Sequence, residues 1–64
     1  MLSDWELWAC ANETMVQHGD RAPFVAAVRI AELTDHSDLD GAEAWRRIAA
    51  RIEALAAGTV GPAH

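Results

Sequence analysis

Apolar residues recur at helical spacing in three separate segments of the chain, and the first segment also carries clear boundary signals. Its stripe repeats every three or four residues and consists of Trp5, Trp8, Ala11 and Met15. Ser3 and Glu6 have the spacing of a capping box, in which each residue satisfies a backbone N–H of the other. Gly19 follows the last turn, where a glycine commonly ends a helix. The pattern predicts a helix over residues 3–18.

The second segment is apolar over most of its circumference. Asp20 is placed as an N-cap and Pro23 falls in the first turn, which predicts a helix over 22–34. One apolar face is formed by Phe24, Ala27, Val28 and Ala31. Val25 and Leu33 lie on the far side, beside charged residues. Because a helix that is apolar nearly all round is usually buried, we expect this helix to be central, with neighbours on two sides.

The third segment has the most regular stripe. Its apolar members are Trp45, Ile48, Ala49, Ile52, Leu55 and Ala56. Asp40 and Glu43 are spaced as a second capping box, and Glu43 also stands four residues before Arg47, the favourable order for an ion pair. The pattern predicts a helix over 40–57.

Three helices with short connections and no strand alternation predict an all-α fold, a compact three-helix bundle. We expect one domain over residues 1–57 and a flexible tail over 58–64, where two glycines and a proline interrupt any periodicity. A chain of 64 residues buries only about 60% of its unfolded surface. Cys10 is the sole cysteine, so no internal disulfide forms, and stability depends on good packing, oligomerisation or a partner.

The charge balance of the chain makes some classes of binding partner unfavourable. Ten acidic residues against five arginines give a net charge of −5, which argues against nucleic acid and anionic membranes as partners. No apolar run approaches the roughly 20 residues that span a bilayer. The acidic N-terminus lacks the basic region of a signal peptide, and a lone free cysteine suits a reducing compartment. We therefore expect a cytoplasmic protein.

The aromatic and polar residues of the first stripe suggest different roles. Trp8 and Trp45 are expected in the core, because large aromatics supply most of the burial in an alanine-rich chain. Trp5 lies nearer the edge of its stripe, and it either anchors an interface or covers the end of the bundle. Asn12 falls within the apolar arc, where we expect it to bond a loop and fix how the helices meet.

The sequence contains no set of residues whose spacing is typical of a catalytic site or a metal site. Cys10 is expected toward the polar side of its helix, near acids that oppose thiolate formation. His18, His36 and His64 share no metal-ligand spacing. The segment 35–41 resembles a calcium loop only in part, because it lacks the full order of ligands and the closing glutamate. We expect no catalytic residue, no metal and no cofactor.

The basic residues of the third helix leave two alternatives open. Arg46, Arg47 and Arg51 either contact an acidic partner or form a solvated face paired with nearby glutamates. In a helix-turn-helix interpretation the third helix would enter the DNA groove, yet its first turn would turn Asp40 and Glu43 toward the phosphates.

A set of residues spread along the chain carries a family resemblance. It comprises the run Asp4-Trp5-Glu6-Leu7-Trp8-Ala9-Cys10-Ala11, then His18-Gly19, Ala22, Arg29, Leu33, Asp38, Asp40-Gly41, Trp45 and Ile48. This set resembles a short alphaproteobacterial family known only as a domain of unknown function. The resemblance covers about residues 4 to 55 and implies no activity, cofactor or catalytic residue.

The sequence thus predicts a protein-interaction or regulatory module without catalytic activity. We expect it to bind a protein partner or to form a homodimer through an exposed apolar surface that includes Trp5, Val25 and Leu33. The alternative is a DNA-associated regulator of helix-turn-helix type.

Overall fold

A computed structural model describes residues 2–58, and this part of the chain contains helices and no strand. Helix α1 covers Asp4–His18, a 3-10 turn covers Gly19–Arg21, α2 covers Ala22–Asp35 and α3 covers Leu39–Ala57. The helices form a compact bundle of 38 × 24 × 16 Å. The predicted all-α three-helix fold is confirmed, and each helix boundary lies within one residue of its prediction. Beyond Gly58, the predicted flexible tail lies outside the described residues.

The capping box at the start of α1 is confirmed. The Ser3 hydroxyl accepts a hydrogen bond from the Glu6 N–H at 3.2 Å, and Glu6 Oε1 accepts one from the Ser3 N–H at 2.8 Å. Gly19 ends the helix with φ +57°, a conformation that favours glycine. The predicted Asp20 N-cap is wrong, because the 3-10 turn runs directly into α2, whose N-cap Arg21 makes no side-chain cap.

The chain turns from α2 into α3 through Ser37, whose φ of 60° lies in the left-handed region. The Ser37 N–H donates to the Thr34 carbonyl at 3.0 Å, and the Asp38 N–H donates to the Leu33 carbonyl at 2.8 Å. This pair of bonds is a Schellman motif, in which a left-handed residue satisfies the last carbonyls of a helix. The tight turn sets where α3 begins.

Helix α3 is capped by Asp38, and the predicted capping box of Asp40 and Glu43 is wrong. Asp38 Oδ1 accepts a hydrogen bond from the Gly41 N–H at 3.0 Å. A Cβ on Gly41 would lie 2.7 Å from Asp38 Oδ2, so a glycine at this position lets the carboxylate approach. Because the preceding turn places Asp38 at the helix start, Asp40 falls inside the first turn.

The core combines alanines of α1 and α2 with two isoleucines of α3 and one leucine of α1. Its buried members are Leu7, Ala11, Ala22, Ala26, Ile48 and Ile52. Helix α3 packs extensively against both α1 and α2, whereas α1 and α2 contact each other far less. The expectation that α2 is central is therefore wrong, and α3 is the central helix. None of the helices within residues 2–58 is both long and apolar enough to cross a bilayer.

Helix α1 is rotated relative to its predicted apolar stripe. Its buried residues are Leu7, Ala11 and Thr14, and Cys10 packs against the core instead of facing the polar side. Asn12, expected within the apolar arc, is exposed. Trp8 and Trp45 were expected in the core, but both are only half-buried. Alanine contacts bring the helices close together, and a tryptophan is too large for that space, so both rings lie at its edge.

Candidate interaction surface

Helix α2 has two apolar faces, and only one of them meets the rest of the bundle. The inner face holds the buried Ala22 and Ala26 and continues through the half-buried Ile30 and Leu33. The outer face of α2, as we define it, consists of Phe24, Ala27, Val28 and Ala31, all exposed. A central α2 with neighbours on two sides, as expected from the sequence, would have had this face covered, and within the described residues it is not.

Packing explains why the small-residue face turns inward. Alanines at 22 and 26 have almost no side chain, so the backbone of α2 can approach α3 closely. A phenylalanine at the same contact would hold the helices apart and leave voids around the alanines of the core. Phe24 is consequently 61% exposed and Val28 is 40% exposed.

The outer face borders an open depression with a charged margin. Phe24 and Val28 line this depression of about 600 Å³. The Arg21 guanidinium lies 5.8 Å from the centre of the Phe24 ring. Arg29 and Glu32 form an ion pair of 3.6 Å on the same helix. An apolar centre with a charged rim is the usual anatomy of a protein-binding surface.

Helix α1 also exposes large apolar side chains, but they are not contiguous. Trp5 is 76% exposed and Val16 is 71% exposed. They lie three turns apart on one side of α1, and the exposed amide of Asn12 lies between them. Isolated exposed apolar residues are normal on protein surfaces, whereas adjacent ones indicate a binding site. The outer face of α2 is therefore the stronger candidate surface.

The three residues predicted from the sequence as an interface lie in different environments. Trp5 is exposed on α1, whereas Val25 and Leu33 are half-buried on α2. Val25 lines the same depression as Phe24 and Val28. Leu33 continues the inner face of that helix. An interface role for these three residues stays a prediction.

Two arginines form contacts between neighbouring helices, a role that the sequence did not reveal. Arg51 of α3 forms an ion pair with Asp4 of α1, and its guanidinium carbon lies 5.3 Å from the Trp8 ring centre. Arg29 of α2 lies 5.8 Å from the ring centre of Trp45 on α3. Each half-buried tryptophan is thus covered by a cation from another helix, a favourable arrangement for its π-face.

The basic patch expected on α3 divides into two parts. The side chain of Arg51 is only 21% exposed, and it donates to the Arg47 carbonyl at 3.2 Å. Its Nε is buried without a hydrogen-bond partner. Arg46 and Arg47 remain exposed and lie 3.5 and 3.3 Å from Glu43, so the predicted Glu43–Arg47 pair is confirmed. The patch therefore holds fewer outward-facing cations than its sequence suggests.

One titratable group, Glu6, has a pKa that the cap of α1 shifts. Within residues 2–58, no three His, Cys, Asp or Glu side chains cluster so that they could hold a metal ion. The pKa of Glu6 is lowered, first by the hydrogen bond from the Ser3 backbone N–H and then by that from the Ser3 hydroxyl. Glu6 is thereby assigned to the helix cap.

Comparison with known proteins places the chain in a family. The model of DUF6961, a family of unknown function, matches residues 3–59. The chain belongs to this family. No curated protein and no solved structure matches it significantly.

The match to DUF6961 spans all three helices, so the outer face of α2 lies within the region that defines the family. In the sequence, Phe24 and Val28 are recognised only as members of one apolar face of α2, and the predicted interface does not include them. The apolar excess of α2 is the signal that one of its faces stays exposed, since one chain of three short helices cannot cover both faces.

Proposed function

We propose that this DUF6961 protein is a small protein-interaction or regulatory module without catalytic activity, and that it binds through the outer face of α2. One observation carries the proposal. Phe24 and Val28 lie one helical turn apart and are exposed, on a helix whose opposite face already anchors it to the bundle. A helix held in place by one face presents the other in a fixed geometry, which lowers the entropic cost of binding.

The small core supports the same proposal. Ile48 and Ile52 are the largest fully buried side chains among the described residues. Burying a valine or phenylalanine side chain contributes about 1.5–3 kcal/mol. A partner that covers the outer face would therefore add a stabilisation comparable to that of a core residue, and a ligand that binds only the folded state stabilises it.

A DNA-associated role draws no support from the start of α3. Asp38, Asp40 and Glu43 place carboxylates in and around its first turn. Arg46 and Arg47 both lie beside Glu43, which offsets half of their combined charge. Phosphate contacts depend on unneutralised cations. The helix-turn-helix alternative stays a prediction, which gel shifts at low salt would test.

The proposed setting of the module is the cytoplasm of an alphaproteobacterium. The single free cysteine is half-buried against the core, which suits a reducing compartment. The motif around Asp4–Ala11 carries the proposed origin. Fractionation of cells with an antibody against the protein would test the compartment.

The test of the function is photo-cross-linking in the native cells. A benzophenone amino acid replaces Val28 in one variant and Val16 in a matched control, where an equally apolar residue is exposed on α1. We expect a discrete adduct at position 28 and none at position 16, and mass spectrometry identifies the captured protein. Adducts at position 16 alone, or at neither position, would contradict the proposal.

A further inference from the structure

We propose that the outer face of α2 binds a second copy of this chain, and that the two α2 helices lie antiparallel across a two-fold axis. The inference rests on the proposed function and names its partner. Two features support the inference, the spacing and the charges of exposed residues. These residues belong to α2 and the preceding 3-10 turn, and they lie on the side away from α3.

Exposed residues of this segment follow the spacing of a coiled-coil seam. Steps of three, four, three and four residues connect Arg21, Phe24, Val28, Ala31 and Asp35. All five are exposed, and the buried Ala22 and Ala26 lie between the seam positions, on the side that packs in the bundle. Such a spacing keeps one side of a helix continuously against a second helix. The seam therefore lacks a partner within the single chain.

The outer face of α2 is complementary to itself in the antiparallel orientation. A two-fold axis that crosses α2 midway between Ala27 and Val28 places Phe24 opposite Ala31 of the second copy. The same axis places Val28 opposite Ala27 of the second copy. Each large side chain thus meets a small one, as interdigitated packing requires. A two-fold interface needs this self-complementarity, because both copies use the same patch.

The charges at the two ends of the seam favour the same orientation. Arg21 and Asp35 are 14 residues apart, which is about 21 Å along a helix. In the antiparallel pair, Arg21 of each copy and Asp35 of the other differ in height along the helix axis by about one residue's rise, 1.5 Å, so their side chains face each other across the pair. A parallel pair would instead bring two arginines together at one end and two aspartates at the other. The antiparallel pair thus sets Arg21, beside the exposed Asp20, against Asp35, whereas the parallel pair opposes like charges alone, so the charges favour the antiparallel orientation.

The test exchanges these charges and follows the association state by sedimentation velocity at low ionic strength. The wild-type chain is expected to dimerise. Arg21→Asp and Asp35→Arg each place like charges together at both ends of the seam, so each should raise the dimer dissociation constant about tenfold or more. Mixing the two variants should restore dimers, because a chain with two aspartates then faces a chain with two arginines.

Only the antiparallel seam predicts both results together, weakening by each single exchange and rescue by mixing, because a parallel pair of wild-type chains already opposes like charges at both ends. Glu53→Arg changes the net charge as much as Asp35→Arg does, but on α3, and it should leave dimerisation unchanged. Circular dichroism of every variant reports whether the helices persist. A dimer that the charge exchanges do not weaken, or a mixture that stays monomeric although both variants are folded, would overturn the proposal.

The failure of this inference and that of the proposed function give different results. A wild-type chain that stays monomeric up to about 1 mM overturns the second copy as partner, because any self-association is then weaker than about −4 kcal/mol. If position 28 still cross-links to another protein in that case, the proposed function stands. Dimers without any cross-link at position 28 overturn both.

Discussion

Helices α2 and α3 differ in how directly their apolar patterns relate to their environments. Helix α3 has one apolar stripe, and that stripe supplies the buried Ile48 and Ile52. Helix α2 has an inner face of small residues, which packs, and an outer face with Phe24 and Val28, which does not. A single stripe identifies the buried side of a helix, whereas two stripes on one helix indicate a second neighbour beyond those the chain itself provides.

The largest expected contrast between the two helices is the effect of removing a large apolar side chain. Ile52 of α3 is fully buried, so Ile52→Ala should lower the free energy of unfolding by about 2–5 kcal/mol. Phe24→Ala on the outer face of α2 should change the free energy of unfolding by less than about 0.5 kcal/mol in dilute solution, where the protein is monomeric. Urea unfolding followed by circular dichroism measures both. Equal losses would remove the distinction between the helices.

The next contrast lies within α3 and concerns its arginines. Arg51→Ala removes both the guanidinium over the Trp8 ring and the methylene chain of the arginine. It should lower the free energy of unfolding by about 1–2 kcal/mol. Arg46→Ala, which removes only an exposed pair with Glu43, should cost less than about 0.5 kcal/mol. Thermal unfolding distinguishes them, and a larger effect at Arg46 would show that Arg51 does not hold α1 against α3.

The start of α3 offers a comparable test of its cap. Asp38→Ala should lower the free energy of unfolding by about 1 kcal/mol, because the Gly41 N–H loses its acceptor. Asp40→Ala should cost less than half as much, since Asp40 acts only through the helix dipole. A larger loss at Asp40 in urea unfolding would restore the capping box suggested by the sequence.

The turn between α2 and α3 should accept a stabilising change. Ser37 holds a left-handed conformation that costs a residue with a Cβ more than it costs glycine. Ser37→Gly should therefore raise the free energy of unfolding by about 0.5–1 kcal/mol, which differential scanning calorimetry would record as a higher Tm. Ser3→Gly is the control of opposite sign, because it removes the hydroxyl that caps α1. A lower Tm for Ser37→Gly would contradict the strain assigned to this turn.

The smallest expected effect is the pH dependence of the α1 cap. The lowered pKa of Glu6 means that its ionised form favours the folded state. The stability advantage of the wild type over Glu6→Gln should be complete above the ordinary carboxyl pKa. It should disappear as the pH falls through the lowered value. An advantage that grows in acid would contradict the hydrogen bonds assigned to Glu6.

Local signals in the sequence predicted the features that depend on neighbouring residues alone. The capping box of Ser3 and Glu6 and the stripe of α3 are of this kind. The cap at Asp38 was missed because it depends on the turn at Ser37 and on close approach to Gly41. These are features of the backbone path.

The environments of the aromatic residues could not be predicted, because they depend on which helices meet. Trp8 lies at the edge of the core under Arg51, which is 43 positions away along the chain. The apolar excess of α2 was visible in the sequence, but the pattern could not tell which of its faces would pack. Alanine packing decided that, and it left Phe24 and Val28 outside.

The proposed role of the outer face of α2 requires that this face does not hold the fold together. Urea unfolding of Val28→Asp, at a concentration where both variant and wild type are monomeric, tests it most directly. We expect a free energy of unfolding within about 0.5 kcal/mol of the wild type, as for a surface substitution. A loss of several kcal/mol would instead show that Val28 faces the core and that the outer face holds the fold together.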